Sequence, residues 1–341
     1  MKLLKKQLLD LLKIYGPSGK EGKVRDYLVK ALSGLVDSYQ IDHYGNLLAE
    51  KKVGTGEGDT ILLSAHMDTV KNVQKGRRII EKDGVFYSTK GVLGADDRAG
   101  IAIILAVLRN IDKVSFNGTL KIAFTREEEM GCVGASHIDP EWCKDAKLAI
   151  VVDRRGSRDI VVGNWEAFCS DGVGEFFEEC SALLGMNWKC TPGGISDAMI
   201  FSEAGVNSVN LSAGYFNEHT EKEEVHLTYM RDTINLILQA LALVNHFTFG
   251  EVPVYNKWIK DYGRSFKYNY GYPYVDDLYD DYNVLYKGLD NTGQVTVEKV
   301  GRKVYITKKG LNWVDEVVMD YDTFLDMCEN VFFQTDYLRQ E

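Results

Sequence analysis

Along residues 1 to 248, short apolar runs alternate with longer stretches of helical period. The runs are "TILLSA" (60–65), "TLKIAF" (119–124), "LAIVV" (148–152) and "NSVNL" (207–211). Between and after them lie "RAGIAIILAVLRNI" (98–111) and "DTINLILQALALVNHF" (232–247), which are too long for strands. This alternation predicts an α/β fold: a mixed, mostly parallel sheet with helices on both faces. In such sheets ligands bind beyond the carboxyl ends of the strands. Ahead of the first run, "MKLLKKQLLDLLKIYG" mixes Lys and Asp through its leucines at helical spacing, so an amphipathic helix is expected rather than a signal peptide. A second helix is expected from Val24, Tyr27, Leu28, Ala31, Leu32 and Leu35, with Ser18 and Glu21 as its capping box.

The pattern changes near residue 250. "YGRSFKYNYGYPYVDDLYDDYNVLY" (262–286) is dense in Tyr and Asp without a period and suggests a connector. Beyond it "QVTVEKVGRKVYITKK" alternates like a hairpin around Gly301-Arg302, and "YDTFLDMCENVFF" has helical spacing. The expected organisation is a catalytic domain over 1–249 and a small α+β appendage over 250–341, without internal repeats.

Composition narrows the partners. With 341 residues, 45% hydrophobic and 26% charged, the chain is globular. A formal charge of −10 argues against nucleic acid or an anionic membrane surface, since both call for a basic patch. A peptide or other small substrate fits better. No apolar stretch reaches the length of about 18 residues that a spanning helix needs. Six cysteines without a CxxC pair suggest reduced thiols, hence a cytoplasmic location.

The candidate chemistry sits where strands end. "ILLSA" runs into His66-Met67-Asp68, "GVLGA" leads into Asp96-Asp97 at the mouth of a helix, and "LKIAFT" runs into Glu127-Glu128-Glu129. "LAIVV" ends in Asp153, and His219 follows another strand. Any one of these alone is an ordinary polar cap. The three glutamates taken alone suggest a solvated turn. Together the residues put two imidazoles and several carboxylates at one sheet edge, the donor set of a pair of divalent ions bridged by a shared carboxylate. About four units of metal charge would compensate the glutamates, one serving as a ligand and one left free to move a proton. Asp68, two residues past His66, points to the same side and can orient that imidazole.

These residues resemble the di-zinc exopeptidase superfamily, with its peptidase T-like and zinc aminopeptidase members. The matching stretches are "SAHMDTV", "LGADDRAGIA", "FTREEEMGCVGA", "VVD", "GGISDAMIFSEAGVNSVNLSAGYFNEHT" and the weaker "DHYGN", in order over residues 1 to about 248. The resemblance implies metal ligands His66, Asp96, Glu129, Asp153 and His219, with Asp96 bridging, Asp68 in the catalytic set and Glu128 as general base. It implies two Zn²⁺ ions, with Co²⁺ or Mn²⁺ as alternatives, and a cis Asp96–Asp97 bond. Glu127 falls outside the pattern and is expected to be solvated, as are surface or core roles for His43, His137, His226 and His246. Many relatives insert a lid or dimerisation domain between the last Asp and His ligands; here Asp153 and His219 are too close for one, so a more open site is expected.

The implied activity is hydrolysis of short peptides by an aminopeptidase. Carboxypeptidase or amide deacylase activity on the same centre is the alternative, and a non-catalytic binding protein the more distant one. A serine or cysteine nucleophile finds no support, since "GGISDA" is not a GxSxG elbow. Arg154 and Arg155, beside Asp153, are either exposed surface residues or a clamp for a substrate carboxylate.

Overall fold

A computed structural model of the protein describes residues 1–71, 76–164 and 166–253, together with the backbone of four strands between 284 and 320. In chain order the first unit contains α1 (Lys2–Leu12), α2 (Gly22–Leu32), β1 (Ser38–Ile41), β2 (Leu47–Val53), β3 (Thr60–His66), β4 (Ile79–Lys82) and β5 (Val85–Ser88). Then follow α3 (Ala95–Asn110), β6 (Gly118–Thr125), α4 (Val133–Ser136), α5 (Pro140–Cys143), β7 (Ala146–Arg154), β8 (Asp159–Gly163), α6 (Asp171–Leu183) and β9 (Lys189–Pro192). The unit ends with α7 (Asp197–Glu203), β10 (Ser208–Ser212), β11 (Tyr215–Phe216), β12 (Glu224–His226) and α8 (Leu227–Leu243).

Eight strands form the main sheet in the order β1-β2-β6-β3-β7-β10-β8-β9. Its centre, β6-β3-β7-β10, is parallel, while β1, β2 and β8 pair antiparallel with their inner neighbours. The expected mixed, mostly parallel sheet is thus the observed one. Alternate residues of β3 go to opposite faces: Ile61, Leu63 and Ala65 to one apolar core, Leu62 to another. The first core is closed by α1, α3, α6 and α8; the second receives Ala198, Met199 and Phe201 of α7. A strand covered on both sides has no polar face, which is why these runs read as continuously apolar. Helix α3 is buried through Ala95–Leu108 for the same reason. Lys121 is the charge inside β6, and its Nζ reaches Asp145 and the Trp142 carbonyl, both at 2.5 Å.

One expectation fails locally. Helix α2 begins at Gly22, so Ser18 lies outside it and caps nothing. The Ser18 hydroxyl donates instead to Asp68 at 2.8 Å, and Glu21 accepts from Gly19 N–H at 2.7 Å and from Arg126 Nε at 2.9 Å. The Ser-x-x-Glu spacing here serves tertiary contacts rather than the helix end.

The chain divides into two compact units, Met1–Lys257 and Trp258–Glu341. The second contains a four-stranded antiparallel sheet of β13 (Val284–Asp290), β14 (Gly293–Val300), β15 (Lys303–Lys309) and β16 (Val314–Asp320). Strands β14 and β15 close at Val300 opposite Lys303, where the hairpin was expected, and a strand flanks them on each side. The helix expected over 321–333 lies outside the described residues, as does most of the Tyr/Asp-rich stretch. Among the described residues no helix is long and apolar enough to cross a membrane.

Candidate metal centre

The parallel strands deliver their carboxyl ends to one edge, and the polar residues gather there. His66 is the last residue of β3, Asp153 lies near the end of β7, and Glu128 and Glu129 occupy a tight turn just beyond β6. Asp96 stands at the start of α3, where the chain leaves helical geometry for two residues and the Asp96–Asp97 peptide bond is cis. His219 arrives from the loop between β11 and β12.

Asp96 occupies the middle. Its Oδ1 is 2.9 Å from His66 Nε2 and its Oδ2 is 3.1 Å from His219 Nε2. His66 Nε2 also lies 3.3 Å from Asp153 and 3.9 Å from Glu128, and His219 Nε2 lies 2.9 Å from Glu129. All five residues expected as ligands are therefore in one place, divided by Asp96 into a His66–Asp153 side and a His219–Glu129 side. Within the triads His66–Asp96–Glu129 and His66–Glu128–Asp153 each residue offers one ligand atom that lies within 4.8 Å of those of the other two.

Asp68 does more than orient an imidazole. Fully buried, it stands 3.2 Å from His66 Nδ1, which leaves Nε2 to face Asp96 and Asp153. It also accepts from the N–H groups of Glu128 at 3.0 Å and Glu129 at 3.2 Å. One carboxylate thus holds both a His and the turn that presents the two glutamates.

The charges at this edge do not balance. Burial, reinforced by neighbouring Asp153, pushes Glu128 and Asp97 well above the usual carboxylate range. Burial raises Asp153 to about 6, and burial together with Asp96 raises Glu129 to about 7. For His219 burial acts downward, yet hydrogen bonds with Asp96 and Glu129 outweigh it and lift the imidazole to about 11. Against the same burial cost, Asp96 is held below its ordinary range by the two imidazoles. Carboxylates this crowded retain protons unless multivalent cations stand among them. Borderline and hard donors, two nitrogens and the rest oxygens, suit zinc and other divalent ions of the first transition row. The residues fit divalent metal binding.

Several residues at this edge escaped sequence reasoning. Glu223, fully buried, accepts from the backbone N–H of Gly94, Ala95 and Asp96. The Tyr215 hydroxyl donates to the Asp153 carboxylate at 3.1 Å, and Asn210 accepts from Asp153 N–H at 2.9 Å. Asp197 accepts from Thr125 Oγ1 at 2.6 Å, while its other oxygen is buried without a hydrogen-bond partner among the described residues. Arg98, fully buried, donates to the Met67 carbonyl. Arg98, Asp197, Asn210 and Tyr215 lie inside the matching stretches, yet their roles were not legible there because each meets its partner across the fold.

Glu127 is not the solvated residue expected. It is partly buried, accepts from the Tyr44 hydroxyl and pairs with Arg126 at 3.3 Å, and Arg126 in turn holds Glu21. A left-handed backbone at Glu127 (φ 51°) turns its side chain away from the two glutamates that follow. Arg154 pairs with Asp159 at 3.2 Å and Arg155 with Glu218 at 2.9 Å. His137 stacks on Tyr44 and His226 pairs with Glu224. An open cavity of about 310 Å³ leads from Asp96, Glu129 and His219 past Val161 and Ile195 to Arg154 and Arg155.

Fold and site together define a zinc exopeptidase-type protein: a mostly parallel sheet with His and carboxylate side chains converging beyond its strand ends. The chain belongs to Peptidase family M28, whose profile it matches over residues 46–244; that family is metal-dependent, typically on zinc. It is 31% identical over 147 residues to the uncharacterized protein YqjE of Bacillus subtilis strain 168, covering 40% of this chain and 39% of that one. It is 36% identical over 116 residues to peptidase T of Escherichia fergusonii, covering 34% of this chain and 26% of that one. The match thus spans well under half the length of these curated relatives. Among solved structures, the aminopeptidase PepT of Bacillus cereus ATCC 10987 superposes with a TM-score of 0.65 at 20% identity, covering 71% of this chain and 98% of that one. The aminopeptidase APDkam598 of Desulfurococcus kamchatkensis gives 0.60 at 18% identity, covering 72% and 95%.

Proposed function

We propose that the protein is an aminopeptidase that hydrolyses short peptides with two divalent ions, zinc foremost and cobalt or manganese as alternatives. The observation that carries this is the placement of the two Asp96 oxygens between His66 and His219, with Asp153 beside the first imidazole and Glu129 beside the second. His66, Asp153 and Asp96 would hold one ion; His219, Glu129 and Asp96 the other. When bound, such a pair lowers the pKa of a water molecule and polarises the scissile carbonyl.

The chain's own residues do the rest. Glu128, on the cavity wall and bound to neither imidazole as closely as the ligand carboxylates are, takes the proton of the attacking water and returns it to the leaving amine. Asp68 keeps His66 in one tautomer and fixes the Glu128 backbone. Tyr215 steadies Asp153. The preference for amino-terminal cleavage over carboxypeptidase or deacylase activity rests on the named aminopeptidases among the structural neighbours. It also rests on the short path from Asp153 to His219, which leaves no room for a lid domain.

Elemental analysis after purification without chelator in zinc-supplemented buffer should give two ions per chain. Free-amine dipeptides and tripeptides should then be cleaved and N-blocked peptides should not. Metal content near zero, or preferential cleavage of N-blocked substrates, would overturn this reading.

Arg155 extends the proposal to the far end of the cavity. Its guanidinium is mostly exposed and, among the described residues, only Nη1 is engaged, with Glu218, so several donors remain for a substrate carboxylate. Arg155→Ala should raise KM for dipeptides and tripeptides about 2- to 5-fold, the scale of one solvent-exposed charged contact, with kcat little changed. C-terminally amidated peptides should be indifferent to it. An unchanged KM for free-acid peptides would return Arg155 to the surface.

A further inference from the structure

We infer that Glu223 is a positioning residue for the metal pair, holding the segment that presents Asp96. This rests on the reading that Asp96 is shared between two ions. Gly94, Ala95 and Asp96 form the entry to α3, where Gly94 has a left-handed backbone and Asp96 and Asp97 depart from helical geometry. The N–H groups of such a segment have no strand or helix partner of their own, and buried donors require acceptors. Glu223 supplies them: Oε2 accepts from Gly94 at 2.7 Å, and Oε1 from Ala95 at 2.7 Å and Asp96 at 3.0 Å. On the other side Arg77 donates to the Leu93 carbonyl at 2.6 Å and to the Leu12 carbonyl at 2.5 Å. The backbone leading to Asp96 is thereby gripped from two directions.

The origin of Glu223 matters as much as its contacts. It lies four residues after His219 and immediately before β12, which pairs with β5 through Glu224 opposite Tyr87 and Val225 opposite Phe86. One short segment therefore carries an imidazole of the centre at one end and the clamp on Asp96 at the other. The distance between His219 and Asp96 is set by a chain of bonds through Glu223 as well as by their direct 3.1 Å contact. Among the described residues the Glu223 carboxylate hydrogen-bonds backbone only, so its effect passes through Asp96.

Glu223→Gln preserves volume but leaves a single acceptor oxygen and turns an NH₂ group toward the Gly94 N–H. Glu223→Ala removes both acceptors. Zinc affinity, measured on full-length protein by competition with a chromogenic chelator, should fall about 10–100-fold in Glu223→Gln, the usual effect of losing a partner that orients a ligand. Amide hydrogen exchange at Gly94–Asp96 should accelerate, and the thermal shift produced by zinc should shrink. A purely structural carboxylate would lower the melting temperature of the metal-free protein and leave zinc affinity unchanged; that result overturns the inference. If Glu223→Ala does not fold, the glutamine variant decides alone. Wild-type protein that takes up no zinc sinks the functional reading together with this one. Wild-type protein holding two ions, with Glu223→Gln equal to it in affinity, sinks this inference only.

Discussion

Glu128→Gln should keep both metal ions and lose about 10²–10⁴-fold in kcat, the usual contribution of a positioned proton-transfer group. The substitution is nearly isosteric, and the position of residue 128 is set by its backbone, whose N–H donates to Asp68 at 3.0 Å. Cys132 Sγ, 3.4 Å from Glu128 Oε1, can face an amide oxygen as readily as a carboxylate. What disappears is the capacity to accept a proton. Glu129→Gln should behave differently: a neutral oxygen opposite His219 binds zinc more weakly, so its defect should partly recover in excess zinc. Elemental analysis beside steady-state kinetics separates the two. A metal-deficient Glu128→Gln, or a metal-replete and inactive Glu129→Gln, would exchange the roles of the two glutamates.

The neighbouring Glu127 marks how far local pattern carries. Three consecutive glutamates give no internal sign of which one faces inward. The left-handed backbone at Glu127 sends it to Tyr44, distant in sequence, and to its chain neighbour Arg126. The strands and the large helices were legible because burial on both faces writes a continuous apolar run into the sequence. Each strand end was legible too, since an apolar run stops abruptly at a charged residue. Ser18 and Glu21 were misread because a capping box and a pair of tertiary contacts share one spacing. Glu223, Tyr215 and Asp197 were invisible for a related reason. Nothing near them in sequence needs a carboxylate or a hydroxyl; the need arises at Gly94–Asp96, Asp153 and Thr125, reached only in the fold. In the second unit most of the tight β14–β15 hairpin alternates, whereas "VLYKGLD" and "VDEVVMD" of β13 and β16 do not, and these two strands went unforeseen.

The other large effect belongs to Asp96. Replacing Asp153 or His219 removes a donor from one side of the centre, whereas Asp96 serves both sides through separate oxygens, 2.9 Å from His66 and 3.1 Å from His219. Asp96→Ala should therefore weaken both ions together, by more than the roughly 10–100-fold that follows loss of an outer partner. Activity should fall to background at ordinary zinc concentrations. His219→Ala should keep an ion on the His66 side, so its zinc stoichiometry should settle near one. The difference tests bridging itself, because a carboxylate belonging to one side only would leave one ion in Asp96→Ala as well. A zinc titration of the two variants, read by competition with a chelator, makes the comparison. Equal stoichiometry of one ion in both would show that Asp96 is not shared, and the centre would then have to be rebuilt as two independent sites.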